Sequence, residues 1–206
     1  WKVLGAIFGQ TGRNLEAIDA NQMAIKLSPN DVETYNNLGN SLRVVGKLDE
    51  AEKNYKKAIS LKPDFSIAHS NLGVTFQDQM KFEDAYNSFI NALELNPNLD
   101  LAKINFSHCV KNLRFNSSNP KLYPIFINII TSGNYTRPKD IAGSILSLIN
   151  HEPLIKDLFY TNHFDIDQKK LFSIIKCLNQ FPILYHLMLV CSLPDLNFEK
   201  LFTSIR

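Results

Sequence analysis

Aligned on itself at an offset of 34 residues, this 206-residue chain repeats. Leu4-Gly5, Leu38-Gly39 and Leu72-Gly73 share one phase, as do Ala17, Ala51 and Ala85, then Ala24, Ala58 and Ala92, then Pro29, Pro63 and Pro97. Large residues recur with them: Trp1, Tyr35 and His69; Phe8, Leu42 and Phe76. Tyr55 and Phe89 share a further phase, which Asn21 breaks in the first copy. A period of this size marks a stacked array, because one such unit cannot bury its apolar stripe alone.

Each unit holds two helical patterns split by a turn at Gly12, Gly46 or Met80. The first places large residues at i, i+3 and i+7 with glycine at i+4. The second places alanine at i and i+7 with an aromatic between, as in Ala51, Tyr55 and Ala58. Small residues let two helix axes approach closely, and large ones fill the holes so formed. The proline closing each unit stops its second helix. These spacings predict an all-α solenoid.

The pattern of Trp/Tyr, Leu-Gly, aromatic, Ala, aromatic, Ala and Pro resembles the tetratricopeptide repeat (TPR). It covers residues 1–98, about half of the chain. The expected units are a truncated repeat over 1–31, repeats over 32–65 and 66–99, and a first-type helix over 100–115 that keeps Phe106, Ser107 and Val110 in phase. Asn119 and Pro120 fall where a small residue of its partner helix is required, so 100–115 reads as a capping helix closing a domain of 1–115. The chain opens on Trp1 in mid-repeat, which points to a truncated N-terminus.

Asn116-Ser-Ser-Asn-Pro120 is a turn cluster and the internal boundary. Residues 116–206 still read helical, as an irregular segment without the 34-residue period. The apolar stripes are Leu122, Ile125, Phe126, Ile129 and Ile130; Ile141, Ile145, Leu148 and Ile149; Leu154, Ile155, Leu158 and Phe159. They continue with Leu171, Ile174, Ile175 and Leu178 behind an Asp167 N-cap, then Ile183, Leu184, Leu187, Met188 and Cys191. A last stripe of Leu201, Phe202 and Ile205 ends unfinished, pointing to a truncated C-terminus. The stretch through Pro182, Pro194-Asp195-Leu196 and Phe198-Glu199-Lys200-Leu201 is similar to helical linkers in bacterial TPR proteins that carry a methyltransferase domain downstream.

Charge excludes one class of partner. The 22 basic and 20 acidic side chains leave a net +2, split as 13 against 13 up to Phe115 and 9 against 7 beyond it. Neither half has the basic excess that phosphate-backbone binding requires, so no nucleic acid is expected. The most apolar run, Phe181 to Leu193, is shorter than the roughly 20 residues of a membrane span, and no membrane association is expected. Three cysteines, Cys109, Cys177 and Cys191, form no CxxC pair and suit a reducing, cytoplasmic setting.

No catalytic constellation stands out. His69 occupies a large-residue slot of the repeat and reads as packing. His151, His163, His186, Cys177 and Cys191 lack metal-ligand spacing, so no metal is expected. Glycine-rich phosphate loops and G-x-S-x-G are missing, and no cofactor is expected. The Asp49-Glu50 and Glu83-Asp84 pairs open second helices, where acidic groups favour the helix dipole. Three Asn-x-Ser/Thr triplets, at Asn105, Asn116 and Asn134, are unremarkable in a chain with 22 asparagines.

One surface pattern does stand out. Asn37, Asn71 and Asn105 are 34 apart, each one residue before Leu38, Leu72 or Phe106. Stacked along the face of the first helices, three carboxamides would each offer a donor and an acceptor, the complement of a peptide unit. The arrangement resembles the asparagine ladder of O-GlcNAc transferase-type repeats, which implies that these residues bind a substrate main chain. Val3 stands at the first-repeat position, limiting the ladder to three rungs. Its expected neighbours are Glu33, Asn36, Asn40 and Arg43; Ser70, Val74, Gln77 and Asp78; and His108 and Lys111. No basic clamp for a C-terminal carboxylate is visible among them. Alanine at all three rungs is expected to leave the fold intact.

The sequence therefore describes a protein–protein interaction module, without catalysis of its own, that takes an extended peptide or a partner helix in its groove. The alternative is the non-catalytic front part of a transferase, of O-GlcNAc or methyl type, presenting protein substrate to a catalytic domain. Oligomeric state and partner identity are not written in these residues.

Overall fold

The computed structural model describes residues 1–132, 137–153, 155–156, 176 and 179–190. Among them the secondary structure is entirely helical. Lys2–Gln10 (α1) and Asn14–Leu27 (α2), Val32–Val44 (α3) and Leu48–Leu61 (α4), and Ser66–Asp78 (α5) and Phe82–Leu95 (α6) are three helical hairpins. They are followed by Asp100–Val110 (α7), Leu122–Ser132 (α8), Pro138–Ile149 (α9) and Pro182–Val190 (α10). The fold is an all-α solenoid of 34-residue units followed by further helices. The chain divides into two compact units, Trp1–Phe106 and Ser107–Arg206, so the division falls within α7.

In the first unit each helix packs on the next in order, and the first helices also lie side by side, α1 against α3 and α3 against α5. The alanine phases are the closest contacts: Ala17, Ala51, Ala58, Ala85 and Ala92 are completely buried. Glycine is required where the hairpins touch. A Cβ on Gly39 would lie 2.7 Å from the Tyr55 ring, and one on Gly73 would lie 2.7 Å from the Phe89 ring. Leu38 and Leu72 are buried in step, at 5% and 6% exposure, whereas Leu4 of α1 is 42% exposed. The hairpin turns need a left-handed residue. Gly12 and Gly46 supply it with φ of 77° and 81°, and Met80 adopts φ 62° in their place, a conformation that costs a side-chain-bearing residue about 1–2 kcal/mol.

His69, at the phase of Trp1 and Tyr35, is half-buried, with Nε2 3.0 Å from the Pro63 carbonyl oxygen. Asp31 caps α3, accepting from the Glu33 and Thr34 amides at 3.2 and 3.4 Å, and Lys2 bridges Asp31 and Glu33. Ala51→Leu adds three carbons to a position with no free volume and should cost about 1–3 kcal/mol by overpacking. Urea melts of the purified variant check this, and an unchanged midpoint would contradict the close helix contact.

In the second unit, Leu122, Ile125, Phe126, Ile129 and Ile130 of α8 are buried, as are Ile141, Ile145, Leu148 and Ile149 of α9 and Ile183, Leu184 and Leu187 of α10. Both α8 and α9 pack against α10. Polar bonds tie the loops down. Ser118 and Tyr123 both donate to Glu152, the Ser147 hydroxyl accepts from the Phe115 amide at 3.0 Å, and His151 Nε2 lies 2.9 Å from the Phe115 carbonyl oxygen. Ile155 is buried. The rest of its expected stripe, the stripe behind Asp167, His163, Cys177, Cys191, the linker-like residues from Pro194 onward and the last stripe lie outside the described residues.

Candidate binding groove

The three asparagines of the ladder stand on neighbouring first helices, Asn37 on α3, Asn71 on α5 and Asn105 on α7, all within the first unit. Each is half-buried. The residue following each one is a core residue, which fixes how far the carboxamide can turn. The chain folds the same way locally at the first two: Ser41 donates to the Asn37 carbonyl at 3.2 Å and Thr75 to the Asn71 carbonyl at 2.9 Å.

The three carboxamides are nonetheless not equivalent. Asn71 Nδ2 donates to Asn36 Oδ1 at 2.9 Å, and Asn36 is buried at 6% exposure. Asn71 thus retains its carbonyl oxygen as a free acceptor. The carboxamides of Asn37 and Asn105 make no hydrogen bond among the described residues. Removing the Asn71 side chain would strand a buried acceptor, at a cost of about 1–3 kcal/mol. The expectation that all three can become alanine without consequence for the fold is therefore corrected at Asn71.

The flanking positions also sort themselves. Asn36 and Ser70, one repeat apart, are buried and do not line an open surface. Asn40 is half-buried, and its Oδ1 accepts from the Tyr55 hydroxyl at 2.7 Å. Burial pushes the Tyr55 phenol up to about 12, so it remains a donor at neutral pH and holds the Asn40 carboxamide in one orientation. Arg43 pairs with Asp78 across one repeat, guanidinium nitrogen to carboxylate oxygen at 3.2 Å. Gln77 and Val74 are half-buried, and Glu33 is exposed. His108 and Lys111 are exposed and belong to the second unit. Val3, at the ladder phase of the first repeat, is 70% exposed.

Sequence reasoning had no sight of Tyr55 as the group that orients Asn40, nor of Asn14 and Gly9, which line a cleft beside Asn37 and Asn40. The aromatic phase of Tyr55 was plain, but a hydroxyl reaching 15 residues back is not a periodic signal. Among the described residues no group of three or more His, Cys, Asp or Glu could hold a metal ion. No described helix is long and apolar enough to cross a membrane.

Residues 32–65, the unit of α3 and α4, match the tetratricopeptide repeat family. In fold the chain is similar to tetratricopeptide-repeat proteins. Its TPR fold is shared with the first TPR of Spaghetti (RPAP3) bound to HSP90 peptide SRMEEVD, at 24% identity and a TM-score of 0.51 over 52% of this chain and 86% of that one. An Arabidopsis OM64 TPR domain is similar at 21% identity and a TM-score of 0.52, over 54% of this chain and 93% of that one. A mutant O-GlcNAc transferase of Thermobaculum terrenum is similar at 20% identity and a TM-score of 0.55, over 66% of this chain but only 26% of the transferase. At these identities the likeness is one of fold. No curated protein matches the chain.

Proposed function

We propose that the first-helix face of the TPR unit binds extended peptides by their main chain, through Asn37, Asn71 and Asn105, with Asn40 and Gln77 beside them. TPR arrays serve protein–protein interaction, and the observation that supports this mode is the state of the three carboxamides. Two are unpaired and the third keeps a free oxygen, at one phase of three consecutive repeats. A carboxamide presents a donor and an acceptor in one plane, as a peptide unit does.

The groove's charge points the same way. Arg43 is paired with Asp78, and no second Lys or Arg is among the first-unit groove residues named above, so a C-terminal carboxylate finds no clamp there. The module works by binding, without chemistry of its own, in a cytoplasmic setting. A transferase reading would use the same groove to present protein substrate, and rests on residues outside this chain.

The test separates binding from folding. Asn37→Ala with Asn105→Ala removes two unpaired carboxamides and should leave the melting transition in place. Each contact contributes about 0.5–1.5 kcal/mol net, so together they should weaken binding about tenfold or more. Fluorescence anisotropy with a panel of unrelated extended peptides should show a similar loss for each peptide. Adding Asn71→Ala should weaken binding further while lowering the melting midpoint. Equal affinity of the double variant and the parent for every peptide would leave the ladder without a role.

A further inference from the structure

Beside the first rung of the ladder, Gly9 of α1 and Asn14 of α2 face Asn37, Asn40, Ser41 and Val44 of α3 across a cleft of about 280 Å³. The space exists because the first repeat carries small residues where the next repeats carry large ones. Gly9 stands one period before Arg43 and two before Gln77, and Ala6 one period before Asn40 and two before Val74. The cleft holds on the order of nine waters at about 30 Å³ each, enough room for one amino-acid side chain.

Its lining carries no formal charge. An ionised side chain entering it would leave water without a counter-ion, which is unfavourable. An aliphatic one would cover carboxamides that then lose their water partners. The hydrogen-bonding states of the three asparagines in the lining narrow the choice further. Asn40 Oδ1 is occupied by the Tyr55 hydroxyl, which leaves the Asn40 NH2 as a donor in a fixed orientation. Asn14 Nδ2 donates to the Gly12 carbonyl at 3.2 Å, which leaves Asn14 Oδ1 as an acceptor. Asn37 offers both. The side chain that answers a fixed donor and a fixed acceptor within one small planar group is another carboxamide.

We propose that the cleft between α1 and α3 is a side-chain subsite of the groove, selective for glutamine or asparagine in the bound peptide. The inference rests on the main-chain reading above. The ladder holds the backbone without regard to sequence, and this cleft supplies the register by admitting one kind of side chain at one position.

The experiment uses the full 206-residue chain and labelled extended peptides of serine and alanine, each with a single guest residue moved stepwise along the peptide. With glutamine as guest, one register should bind about tenfold tighter than the same peptide carrying glutamate, lysine, leucine or alanine there. Two variants test the site itself. A Cβ on Gly9 meets nothing nearer than Ser41 Oγ at 3.8 Å, so Gly9→Leu can fill the cleft without moving backbone. It should abolish the preference for glutamine, bringing the glutamine and alanine peptides to the same affinity. Asn40→Asp keeps an acceptor for Tyr55 but replaces the free donor by a carboxylate, and should turn the preference towards lysine. If peptides bind and respond to Asn37→Ala with Asn105→Ala, yet all guests agree within twofold, the subsite is overturned and the ladder stands. A preference for leucine would equally overturn it, by showing an apolar pocket. If no peptide binds the parent chain, the main-chain reading falls and the subsite with it.

Discussion

Phe89→Ala is expected to cost about 3–5 kcal/mol, a large share of the stability of a unit this size. Phe89 is completely buried on α6 and lies against Gly73 of α5, the helix on which α6 packs. Nothing else fills that space, because Gly73 has no side chain and the flanking Ala85 and Ala92 are already in close contact. The lost ring removes its transfer free energy and leaves a cavity that two closely packed helices cannot collapse. Chemical denaturation followed by circular dichroism measures the loss. A companion variant makes the claim sharper. Gly73→Ala in the parent forces a Cβ to within 2.7 Å of the ring and destabilises, whereas in the Phe89→Ala background the methyl enters the vacated space. The two effects should therefore be strongly non-additive. Additive costs, or a Phe89→Ala loss under 1 kcal/mol, would mean that the ring and the glycine do not share this contact.

Asn21→Phe is expected to act in the opposite sense, raising stability by about 2–4 kcal/mol. Asn21 sits at the phase of Tyr55 and Phe89, completely buried, and neither its Oδ1 nor its Nδ2 has a hydrogen-bond partner among the described residues. A buried amide without partners costs about 1–3 kcal/mol, and an aromatic ring in its place adds apolar burial. Asn21 packs on Gly5 as Phe89 packs on Gly73, with its Cγ 2.7 Å from where a Gly5 Cβ would lie. Asn21→Ala should gain much less, since it removes the amide without filling the volume. Thermal melts of both variants beside the parent decide the matter. A destabilised Asn21→Phe would show that the first hairpin has closed around the smaller side chain.

The two predictions mark how far the repeat period reaches. From the 34-residue offset alone, the positions of six helices, the alanine contacts at Ala51, Ala58, Ala85 and Ala92, and the turns at Gly12, Gly46 and Met80 could be read. Periodicity reports what every copy must satisfy, and every copy must bury the same stripe against its neighbour. The apolar stripes of α8, α9 and α10 were legible for the same reason, since burial selects residue type at helical spacing. The common phase of Asn37, Asn71 and Asn105 was likewise visible, but their hydrogen-bonding states were not. Asn36 and Asn71 are 35 residues apart and identical to other asparagines by type, so only packing shows that one is buried and the other is its donor. The pairing of Arg43 with Asp78 also joins two consecutive repeats. The cleft at Gly9 needed both the helix contact and the absence of a side chain there. Burial of apolar residues is a one-body preference and is written along the chain. Satisfaction of polar groups is a two-body condition between residues far apart in sequence, and the tertiary structure alone decides it.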